Sequence, residues 1–391
     1  MGLLQEVRKA LGAVWRIALD TAVLAGAPQA GRADALCIVR LDAIGDFVLW
    51  IDAGRQLAAH YRARGWRVVL LANSAWGHWA RELVMADEVW EIDPARFACD
   101  TQYRAGWLRR VHAAGFAMAI QPTHSRSAIL GDALIRAAGS EKRIGSAGDS
   151  ANSPRWLKRW SDTWHTDLIP CGPPTRMELL RNADFMRGLG FTDFQACVPF
   201  LDVRAKSQAA VPPEAYVVLA PGAGWAGRAW PVESFAETGR RLLALGLRLV
   251  LVGGVADRAA ADELMRQLQG TAEDLVGKTS LAELAIVLAG ARLVVSNETA
   301  TAHIGAAVGA RVVCVVGGGH FGRFMPYQTA ASDDRRIMPV AVVRRMDCFG
   351  CNWNCIYARP QGGPVKCVKD VTTDEVWRQV ATCLTADGAR V

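Results

Sequence analysis

Asp46 is the first side chain placed for chemistry, in residues 40–47 (Arg-Leu-Asp-Ala-Ile-Gly-Asp-Phe), which follow a short apolar run. Where a strand turns into a helix, a carboxylate in the loop can act as a general base on a bound hydroxyl. Asp is also a favoured N-cap residue, because its side chain accepts the free N–H groups of the first helical turn. The spacing alone favours the cap.

A glycine-rich stretch, residues 221–231, directly follows a second apolar run. Three of its glycines satisfy the G-x-G-x-x-G pattern of dinucleotide-binding loops: Gly222, Gly224 and Gly227. In those loops the helix opens within the glycines, whereas Pro231 predicts a helix that starts after them. A nicotinamide oxidoreductase is therefore an alternative that the late helix argues against. What remains is a glycine loop for an anion, with Arg228 placed to pair with phosphate oxygens.

A third stretch, residues 296–303 (Ser-Asn-Glu-Thr-Ala-Thr-Ala-His), again leads from a strand-like run into a helix-like one. Its small residues leave helix N–H groups open to a second phosphate or a sugar; they are Thr299, Ala300, Thr301 and Ala302. Glu298 can accept hydrogen bonds from sugar hydroxyls. The alternative is helix capping, with His303 a buried imidazole. Two such loops in one half of the chain describe a clamp for a diphosphate.

Four cysteines lie close together near the C-terminal end of the sequence: Cys348, Cys351, Cys355 and Cys367. Four thiolates at this spacing suit a structural iron or zinc ion. Free thiols and a cysteine-ligated iron–sulfur cluster are the alternatives. A catalytic metal is not expected, because all four ligands would come from the protein. Residues 1–24 lack the continuous apolar segment of a secretory signal, so we expect a reducing, cytoplasmic compartment in which disulfides are rare.

From Leu36 onward, short β-branched runs alternate with helix-like stretches, which predicts an α/β fold with parallel sheets covered on both faces. The predicted strands are Leu36–Leu41, Arg67–Ala72, Glu88–Ile92 and Phe116–Gln121, then Tyr216–Ala220, Arg248–Val252, Arg292–Ser296 and Arg311–Val316. Residues 146–175, with several Gly and Pro, are predicted to be irregular. Residues 204–213 are the predicted linker between two Rossmann-like halves, whose ligand sites lie at the carboxyl ends of their strands.

The N-terminal residues 1–33 are predicted to be a separate element. Apolar residues recur there at spacings of three and four, which indicates an amphipathic helix: Leu3, Leu4, Val7, Leu11, Val14, Trp15 and Ala18. Three basic residues, Arg8, Lys9 and Arg16, suit an anionic membrane surface. Packing on the protein itself or on a second subunit is the commoner role of such a helix. Pro28 and Gly31 are expected to end it.

Composition narrows the class of protein. Forty-five Lys and Arg against 38 Asp and Glu leave a net charge of +7 without any basic block. This balance favours an acidic or phosphorylated partner and does not indicate nucleic acid. Hydrophobic residues make up 51% of the chain, which excludes a disordered protein. No apolar run approaches the ~20 residues of a membrane-spanning helix, so an integral membrane protein is excluded.

Taken together, these loops resemble those of glycosyltransferase family 9, the ADP-heptose heptosyltransferases of lipopolysaccharide core assembly. The resemblance runs from about Leu36 to about Val376, and its most specific parts are residues 39–46, 221–224 with 228–231, and 297–299 with His303. It implies a GT-B architecture, in which two Rossmann-like domains face a central cleft. The N-terminal domain, 34–205, would bind the acceptor, and the C-terminal domain, 206–391, the nucleotide-sugar. It also implies inversion at the anomeric carbon without a catalytic metal.

The resemblance assigns roles to individual residues. Asp46 matches the family's proposed base, which now favours the catalytic role over the cap. Arg228 falls where the family has a Lys or Arg that contacts the donor diphosphate. The other positions that match the donor site are Gly222, Ala223, Gly224, Thr279, Leu281, Glu298, Thr299, Ala300, Thr301 and His303. Some of them depart from the pattern: Ala223 and Gly224 fall where hydroxyl residues often help, Glu298 stands where many members have Asp, and Ala300 replaces a Gly.

The cysteine insert, residues 346–368, and the glycine-rich residues 317–324 resemble a subgroup of the family, in which relatives that heptosylate autotransporter proteins carry cysteine-bound iron. We expect an inverting transferase that moves a heptose or related sugar from ADP-heptose to a saccharide of the lipopolysaccharide core or a surface glycan. The alternatives are a protein acceptor of the autotransporter type and a non-catalytic, metal-bearing interaction module on the same fold. The acceptor would be an acidic glycan, glycolipid or protein. Peripheral contact with the inner face of the inner membrane and a homo-oligomer both stay open.

Overall fold

The structure, a computed structural model, describes residues 2–27, 33–173, 175–203, 215–330, 336–359 and 362–385. The chain divides into two compact units. The first comprises Met1–Phe47, Ile51–Gly172 and Arg181–Phe194, and the second comprises Val48–Trp50, Pro173–Leu180 and Gln195–Val391. The predicted boundary between residues 205 and 206 and the predicted linker at 204–213 lie outside the described residues, so both stay predictions.

Six strands form the parallel sheet of the first unit: β1 (Ala33–Arg40), β2 (Arg67–Asn73), β3 (Glu88–Ile92), β4 (Phe116–Gln121), β5 (Lys142–Ser146) and β6 (Asp167–Ile169). They lie in the order β3-β2-β1-β4-β5-β6. The first strand is therefore central and pairs with β2 on one side and β4 on the other. Its residues 36–39 are almost completely buried, as expected of a parallel strand covered on both faces.

The helices of this half are α1 (Gly2–Ala25), α2 (Ile44–Arg62), α3 (Gly77–Glu82), α4 (Pro94–Cys99), α5 (Thr101–Ala113), α6 (Gly131–Ala138), α7 (Arg155–Asp162) and α8 (Glu178–Gly188). Of these, α2 connects β1 to β2 and carries Asp46 in its first turn. The core on one side of the sheet combines β1, β2 and β4 with apolar residues of α4, α5 and α6, including Phe97, Leu108 and Leu134.

The second unit repeats the design with six parallel strands: β7 (Tyr216–Ala220), β8 (Arg248–Leu251), β9 (Ala272–Asp274), β10 (Leu293–Asn297), β11 (Val312–Val315) and β12 (Val340–Val342). Its helices are α9 (Val232–Ala244), α10 (Arg258–Gln267), α11 (Leu281–Gly290), α12 (Ala300–Ala307), α13 (Lys366–Lys369) and α14 (Thr373–Thr385), with short 3-10 turns at Ala226–Arg228 and Val255–Asp257. The strands lie in the order β12-β11-β10-β7-β8-β9.

The two sheets share one topology. Counted from the first strand of each half, both run third, second, first, fourth, fifth, sixth, which is the Rossmann order. In the first unit, β1 to β3 follow one another toward one edge of the sheet and β4 to β6 toward the other edge, so the strand order switches direction between β1 and β4. In the second unit it switches between β7 and β10. Ligands of such folds bind beyond the carboxyl ends of the strands at this switch point. The loops that follow these four strands are therefore where each unit is built to hold a ligand.

One stretch of the first half differs from its prediction. Residues 146–175 are not irregular, because they contain α7 and β6 and begin at the end of β5. Residues 125–138 read as one helix-like stretch in the sequence, but the helix starts only at Gly131. Ahead of it, Arg126 turns inward and is fully buried, where it forms ion pairs with Asp132 and Asp162. These charged contacts hold residues 122–130 in a loop, where the sequence pattern alone suggested a continuous helix.

The predicted N-terminal helix is present as α1, but the side that packs on the first unit is not the apolar side predicted from the spacing. Ile17 is buried beside Leu157, and Asp20 forms a buried double contact with Arg104, with Oδ1 and Oδ2 each 2.6 Å from a guanidinium nitrogen. Trp15, in contrast, is 67% exposed. Within the described ranges, no helix combines the length and hydropathy needed to cross a bilayer. Pro28 and Gly31 lie outside the described residues.

Candidate functional site

The loop after β1 is held by a network centred on Asp42. The carboxylate of Asp42 lies 3.1 Å from Nη2 of the buried Arg40 and accepts the hydroxyl of Thr123 at 2.7 Å. Thr123 follows β4, so this hydrogen bond joins the loops after the two central strands. The same Nη2 of Arg40 donates to the main-chain oxygen of Asp46 at 3.1 Å. The backbone that carries Asp46 is therefore fixed from the end of the strand.

Asp46 is not the N-cap of α2, so the capping role that spacing alone favoured is wrong. The cap position is Ala43, which makes no side-chain cap, and Asp46 lies in the first turn of the helix. A carboxylate there is stabilised by the helix dipole without being used as a cap. The next residue, Phe47, is fully buried and stacks on Trp76 with ring centroids 4.1 Å apart, which anchors this turn in the core.

In the second unit, Asn297 ties together the loops that follow β7 and β10. Its side-chain amide donates to the main-chain oxygens of Pro221 at 2.8 Å and Gly222 at 3.0 Å. Its side-chain oxygen accepts the N–H of Trp230 at 2.8 Å. Asn297 is fully buried, so these hydrogen bonds are shielded from water. The glycine loop is thereby fixed at both of its ends to the carboxyl end of β10.

Arg228 and Glu298 meet where these two loops converge. Nη2 of Arg228 donates to the main-chain oxygen of Glu298 at 2.5 Å and lies 3.8 Å from its Oε2. Among the described residues, neither carboxylate oxygen of Glu298 accepts a hydrogen bond, although the side chain is only 3% exposed. Nε of Arg228 is likewise buried without a partner in the described part of the chain. In the described part of the chain the pair therefore leaves an acceptor and a donor unused.

Burial shifts the protonation of two residues at this place. It raises the pKa of the Glu298 carboxyl to about 7, against the opposing effect of the Arg228 charge. It also lowers the pKa of His303 to about 3, and here the Arg228 charge acts in the same direction. His303 is therefore a neutral imidazole, 2.8 Å from the hydroxyl of Tyr327 and stacked on its ring. This is the buried histidine that helix packing alone would produce, so its predicted contact with the donor stays a prediction.

The glycines of the loop after β7 differ in their surroundings. A Cβ on Gly222 would lie 2.1 Å from Cγ of Asp257, whereas a Cβ on Gly224 would meet nothing within 4 Å. Gly222 is therefore needed for the approach of Asp257, which accepts the N–H of Gly254 at 2.8 Å. Gly224 and the half-buried Ala223 line the open side of the loop. That open side can receive an anion on its main-chain N–H groups.

Two helix starts carry predicted donor-site residues. Thr299 occupies the N-cap position of α12 but makes no side-chain cap, so the first-turn N–H groups at Ala300 and Thr301 are not capped by it. The start of α11 is closed instead, because Ser280 and Glu283 form a reciprocal capping box. Thr279 and Leu281 flank that cap and are half-buried. Of the two, the start of α12 is the one that resembles an anion site.

The four predicted metal ligands come to one place. Cys348, Cys351, Cys355 and Cys367 all line one small cavity and form no disulfides. Burial raises the pKa of the Cys367 thiol, and negative charge on the other three would raise it further. In the part of the chain that the structure describes, however, no three His, Cys, Asp or Glu side chains approach closely enough to hold a metal ion. The metal therefore stays a proposal.

Several residues that organise the site were given no role by the sequence. Asp42 and Asn297 lie within the matched residues 39–46 and 297–299, but the hydrogen bonds by which they bridge two loops have no sequence signal. Asp257 and Trp353 are distant in sequence from the loops that they contact. Trp353 lies between two of the cysteines, and its ring is 5.3 Å from the guanidinium carbon of Arg228. The sequence gives no indication of that contact.

Comparison with solved structures agrees with this fold. Escherichia coli heptosyltransferase WaaC with ADP-2-deoxy-2-fluoro heptose superposes with a TM-score of 0.64 at 17% identity, over 89% of this chain and 99% of that one. The iron-containing dodecameric glycosyltransferase TibC from enterotoxigenic E. coli gives a TM-score of 0.51 at 14% identity, over 92% of this chain and 78% of that one. Together with the two Rossmann-order sheets, these likenesses confirm the predicted α/β fold of the GT-B type.

Sequence comparison identifies the family. Lipopolysaccharide heptosyltransferase 2 of Salmonella typhimurium (strain LT2) is 29% identical over 102 residues, which are 25% of this chain and 29% of that protein. The chain thus matches less than a third of the length of this curated relative. The sequence model of glycosyltransferase family 9 (heptosyltransferase) matches residues 108–335, more than half of the chain. As its loop motifs predicted, the chain belongs to glycosyltransferase family 9.

Proposed function

We propose that this protein is an inverting glycosyltransferase that moves a heptose or related sugar from ADP-heptose to a saccharide of the lipopolysaccharide core or another surface glycan. The observation that carries the proposal is the Arg228–Glu298 pair between the glycine loop after β7 and the start of α12. Arg228 offers a cation to a diphosphate, the loop offers main-chain N–H groups, and Glu298 offers an acceptor to a sugar hydroxyl. Family membership and the likeness to heptosyltransferase structures support the same donor class.

The proposed reaction is a direct displacement. Asp46 takes the proton from an acceptor hydroxyl as that oxygen forms a bond to the anomeric carbon. The bond between the anomeric carbon and the diphosphate oxygen breaks, and its electron pair leaves with ADP. Arg228 and the N–H groups of Gly222–Gly224 and Thr299–Thr301 stabilise the negative charge that develops on the departing diphosphate. No metal takes part in this step as proposed.

The primary experiment measures release of nucleoside diphosphate by the purified protein from a panel of ADP-, GDP- and UDP-sugars. ADP release from ADP-heptose alone supports the proposal. Acceptors added in separate arms, a lipopolysaccharide core saccharide or an autotransporter-type protein, then distinguish the two acceptor classes. Silence across the panel, with no thermal shift from free ADP, would contradict the proposal and favour a non-catalytic interaction module.

Asp46→Asn tests the base. The substitution keeps the size and the hydrogen-bonding shape of the side chain, so the loop held by Asp42 is expected to stay folded. We expect transfer to fall by about 10²–10⁴-fold, the usual contribution of a general base, with ADP affinity unchanged. If the folded variant transfers sugar within about tenfold of the wild-type rate, Asp46 is not the base.

We also propose a structural iron or zinc ion held by the four cysteines. Its support is their common cavity, the suitability of four thiolates for such an ion, and the likeness to an iron-containing transferase. Cys351→Ser should lower the metal content of protein purified without chelator to below half an equivalent, as read by elemental analysis. Cys171→Ser, at a buried cysteine of the other unit, is the control. Equal metal in both variants, or none in the wild type, would contradict the site.

Peripheral membrane contact is proposed for the exposed apolar residues of two helices of the first unit. They are Leu11, Val14 and Trp15 on α1 and Trp156 and Trp160 on α7; the exposed fractions of the three indoles are 67%, 43% and 40%. The two helices share a small core through Ile17 and Leu157. Arg155 and Arg159 stand exposed beside the indoles, and among the described residues neither pairs with a carboxylate. Exposed indoles flanked by arginines suit an anionic lipid surface.

Vesicle sedimentation tests this contact, with phosphatidylglycerol–phosphatidylcholine vesicles and with phosphatidylcholine alone. We expect binding only to the anionic vesicles and its loss in the double variant Trp156→Ser, Trp160→Ser. Leu245→Ser, at a residue of the second unit that is 60% exposed, is the matched control. Unchanged binding of the double variant would contradict the proposal. Disassembly of an oligomer by the same variant, without any vesicle binding, would assign the surface to a second copy of the chain.

A further inference from the structure

Trp353 joins the cysteine segment to the proposed diphosphate ligand. The guanidinium carbon of Arg228 lies 5.3 Å from the centroid of the Trp353 ring, within the range of a cation–π contact. The edge of the neighbouring Trp225 ring meets the same indole, with centroids 5.8 Å apart. Trp353 stands between Cys351 and Cys355, so the segment that lines the thiol cavity also lines one side of Arg228.

The backbone at Trp353 is held in a conformation that a side chain disfavours. Asn352 and Trp353 have φ angles of 49° and 63°, in the left-handed region that bulky residues rarely adopt. Such a conformation persists only where surrounding contacts impose it. Here the side-chain oxygen Oδ1 of Asn352 lies 2.7 Å from Nε2 of His320, and Nε1 of Trp353 donates to Nδ1 of the same ring at 3.2 Å.

The indole of Trp353 packs against the backbone of glycines in the loop after β11. A Cβ on Gly319 would lie 2.2 Å from the Trp353 ring, and one on Gly317 would lie 2.8 Å from it. The absence of side chains there allows the ring to rest directly on the loop after β11. The orientation of the indole is therefore set by the loop beneath it and by His320, independently of Arg228.

A second tie joins the same segments. The N–H of Val365 donates to the main-chain oxygen of Gly227 at 2.9 Å, next to Arg228 in sequence. On the other side, the N–H of Gly318 donates to Sγ of Cys367 at 3.3 Å. Direct contacts within one unit thus connect three parts: the cavity lined by the cysteines, the glycines under Trp353, and the loop that carries Arg228.

We propose that Trp353 is a positioning residue, whose ring fixes the orientation of the Arg228 guanidinium for a diphosphate. Arg228 contacts Glu298 through one nitrogen, and its guanidinium carbon lies over the indole, so the two contacts together restrict the orientation of the side chain. The inference rests on the proposed function, because it presumes that Arg228 binds the donor diphosphate. This gives the cysteine segment a role, because it positions the Trp353 ring, which in turn orients Arg228.

ADP affinity, measured by calorimetry, tests the proposal. Trp353→Leu should weaken ADP binding by about 2- to 30-fold, the range that a cation–π contact covers. Trp353→Phe should retain most of the affinity, because a phenyl ring also offers an aromatic face. Phe349→Leu is the matched control, since Phe349 packs on Gly318 of the same loop, where a Cβ would lie 2.3 Å from its ring. We expect that control to bind ADP like the wild type.

A double-substitution cycle separates positioning from mere packing. In an Arg228→Gln background, Trp353→Leu should cause no further loss of ADP affinity. An equal loss in both backgrounds, or an equal loss from Phe349→Leu, would overturn the proposal, because either result marks a general effect on the loop. A wild-type protein that binds no ADP would overturn both this inference and the proposed function, whereas ADP binding that is unaffected by Trp353→Leu would overturn this inference alone.

Discussion

Replacing Glu298 by Gln should stabilise the protein at pH 8 much more than at pH 5. The side chain is 3% exposed, and burial raises the pKa of its carboxyl to about 7, from 4.5 in the unfolded chain. The folded protein therefore holds this proton more tightly than the unfolded chain does. The stability that the neutral carboxyl contributes is fully present below pH 4.5 and is lost as the pH rises through about 7. Glutamine cannot ionise, so the variant does not lose this stability as the pH rises.

The size of the effect follows from the shift. About two and a half pKa units at 1.36 kcal/mol each correspond to about 3 kcal/mol above pH 7, of which roughly 1 kcal/mol is already lost at pH 5. The difference in the free energy of unfolding between the variant and the wild type should therefore grow by about 2–3 kcal/mol between pH 5 and pH 8. Other titrating groups are common to both proteins and cancel in this difference.

Differential scanning calorimetry at the two pH values measures the gain. At about 2–4 °C per kcal/mol for a unit of this size, the difference in Tm between variant and wild type should increase by about 5–10 °C from pH 5 to pH 8. Glu233→Gln, at an exposed carboxyl, controls for the removal of one carboxylate. A difference that is the same at both pH values, or a variant that is less stable at pH 8, would refute the account of a buried, protonated Glu298.

Two further predictions concern stability. Gly222→Ala should lower stability by about 1–2 kcal/mol, because the new Cβ displaces the hydrogen-bonded carboxylate of Asp257. Gly224→Ala should be accommodated, because nothing lies within 4 Å of its Cβ. Equal changes in Tm for the two variants would contradict the surroundings described for the loop. Asp20→Asn should lower stability by about 3–5 kcal/mol, because it leaves the Arg104 charge buried without its partner. Glu263→Gln, which breaks an exposed pair with Arg266, should have a much smaller effect. Urea unfolding checks the second prediction, which fails if the two substitutions cost the same.

Much of the fold could be predicted because its strands are short, apolar and bounded by helix-like stretches. The strands at 88–92, 116–121 and 216–220 have the predicted ends. The stretch around α7 could not be predicted, because its polar residues are buried and its aromatic residues are exposed, the reverse of the usual hydrophobic pattern. Lys158 and Ser161 are buried there, whereas Trp156 and Trp160 are exposed. Hydrophobic periodicity gives no signal when charge pairing with a distant arginine, rather than apolar burial, determines which face points inward.

The candidate site likewise has residues that could be predicted from the sequence and contacts that could not. Arg228 and Glu298 could be proposed from the loops that carry them, because glycine and small residues after a strand are local features. Their mutual contact could not, since it depends on Asn297 bridging segments far apart in the chain. The start of α2 was misjudged by three residues, because Ala43 occupies the cap position without a cap and the helix is anchored by buried aromatic rings instead.

The central place of the first strand in each sheet shapes how the protein must fold during its synthesis. β1 can pair with β2 early, but its other edge has no partner until β4, which begins at Phe116, has left the ribosome. At about 5–20 residues per second, the gap lasts about 4–15 s. During that time an apolar strand edge, residues 36–39, is open to other chains. The second half repeats the delay between β7 and β10. In both halves, therefore, the strand that becomes central keeps one edge unpaired for several seconds of synthesis, and that edge is closed only when the fourth strand of the half is made.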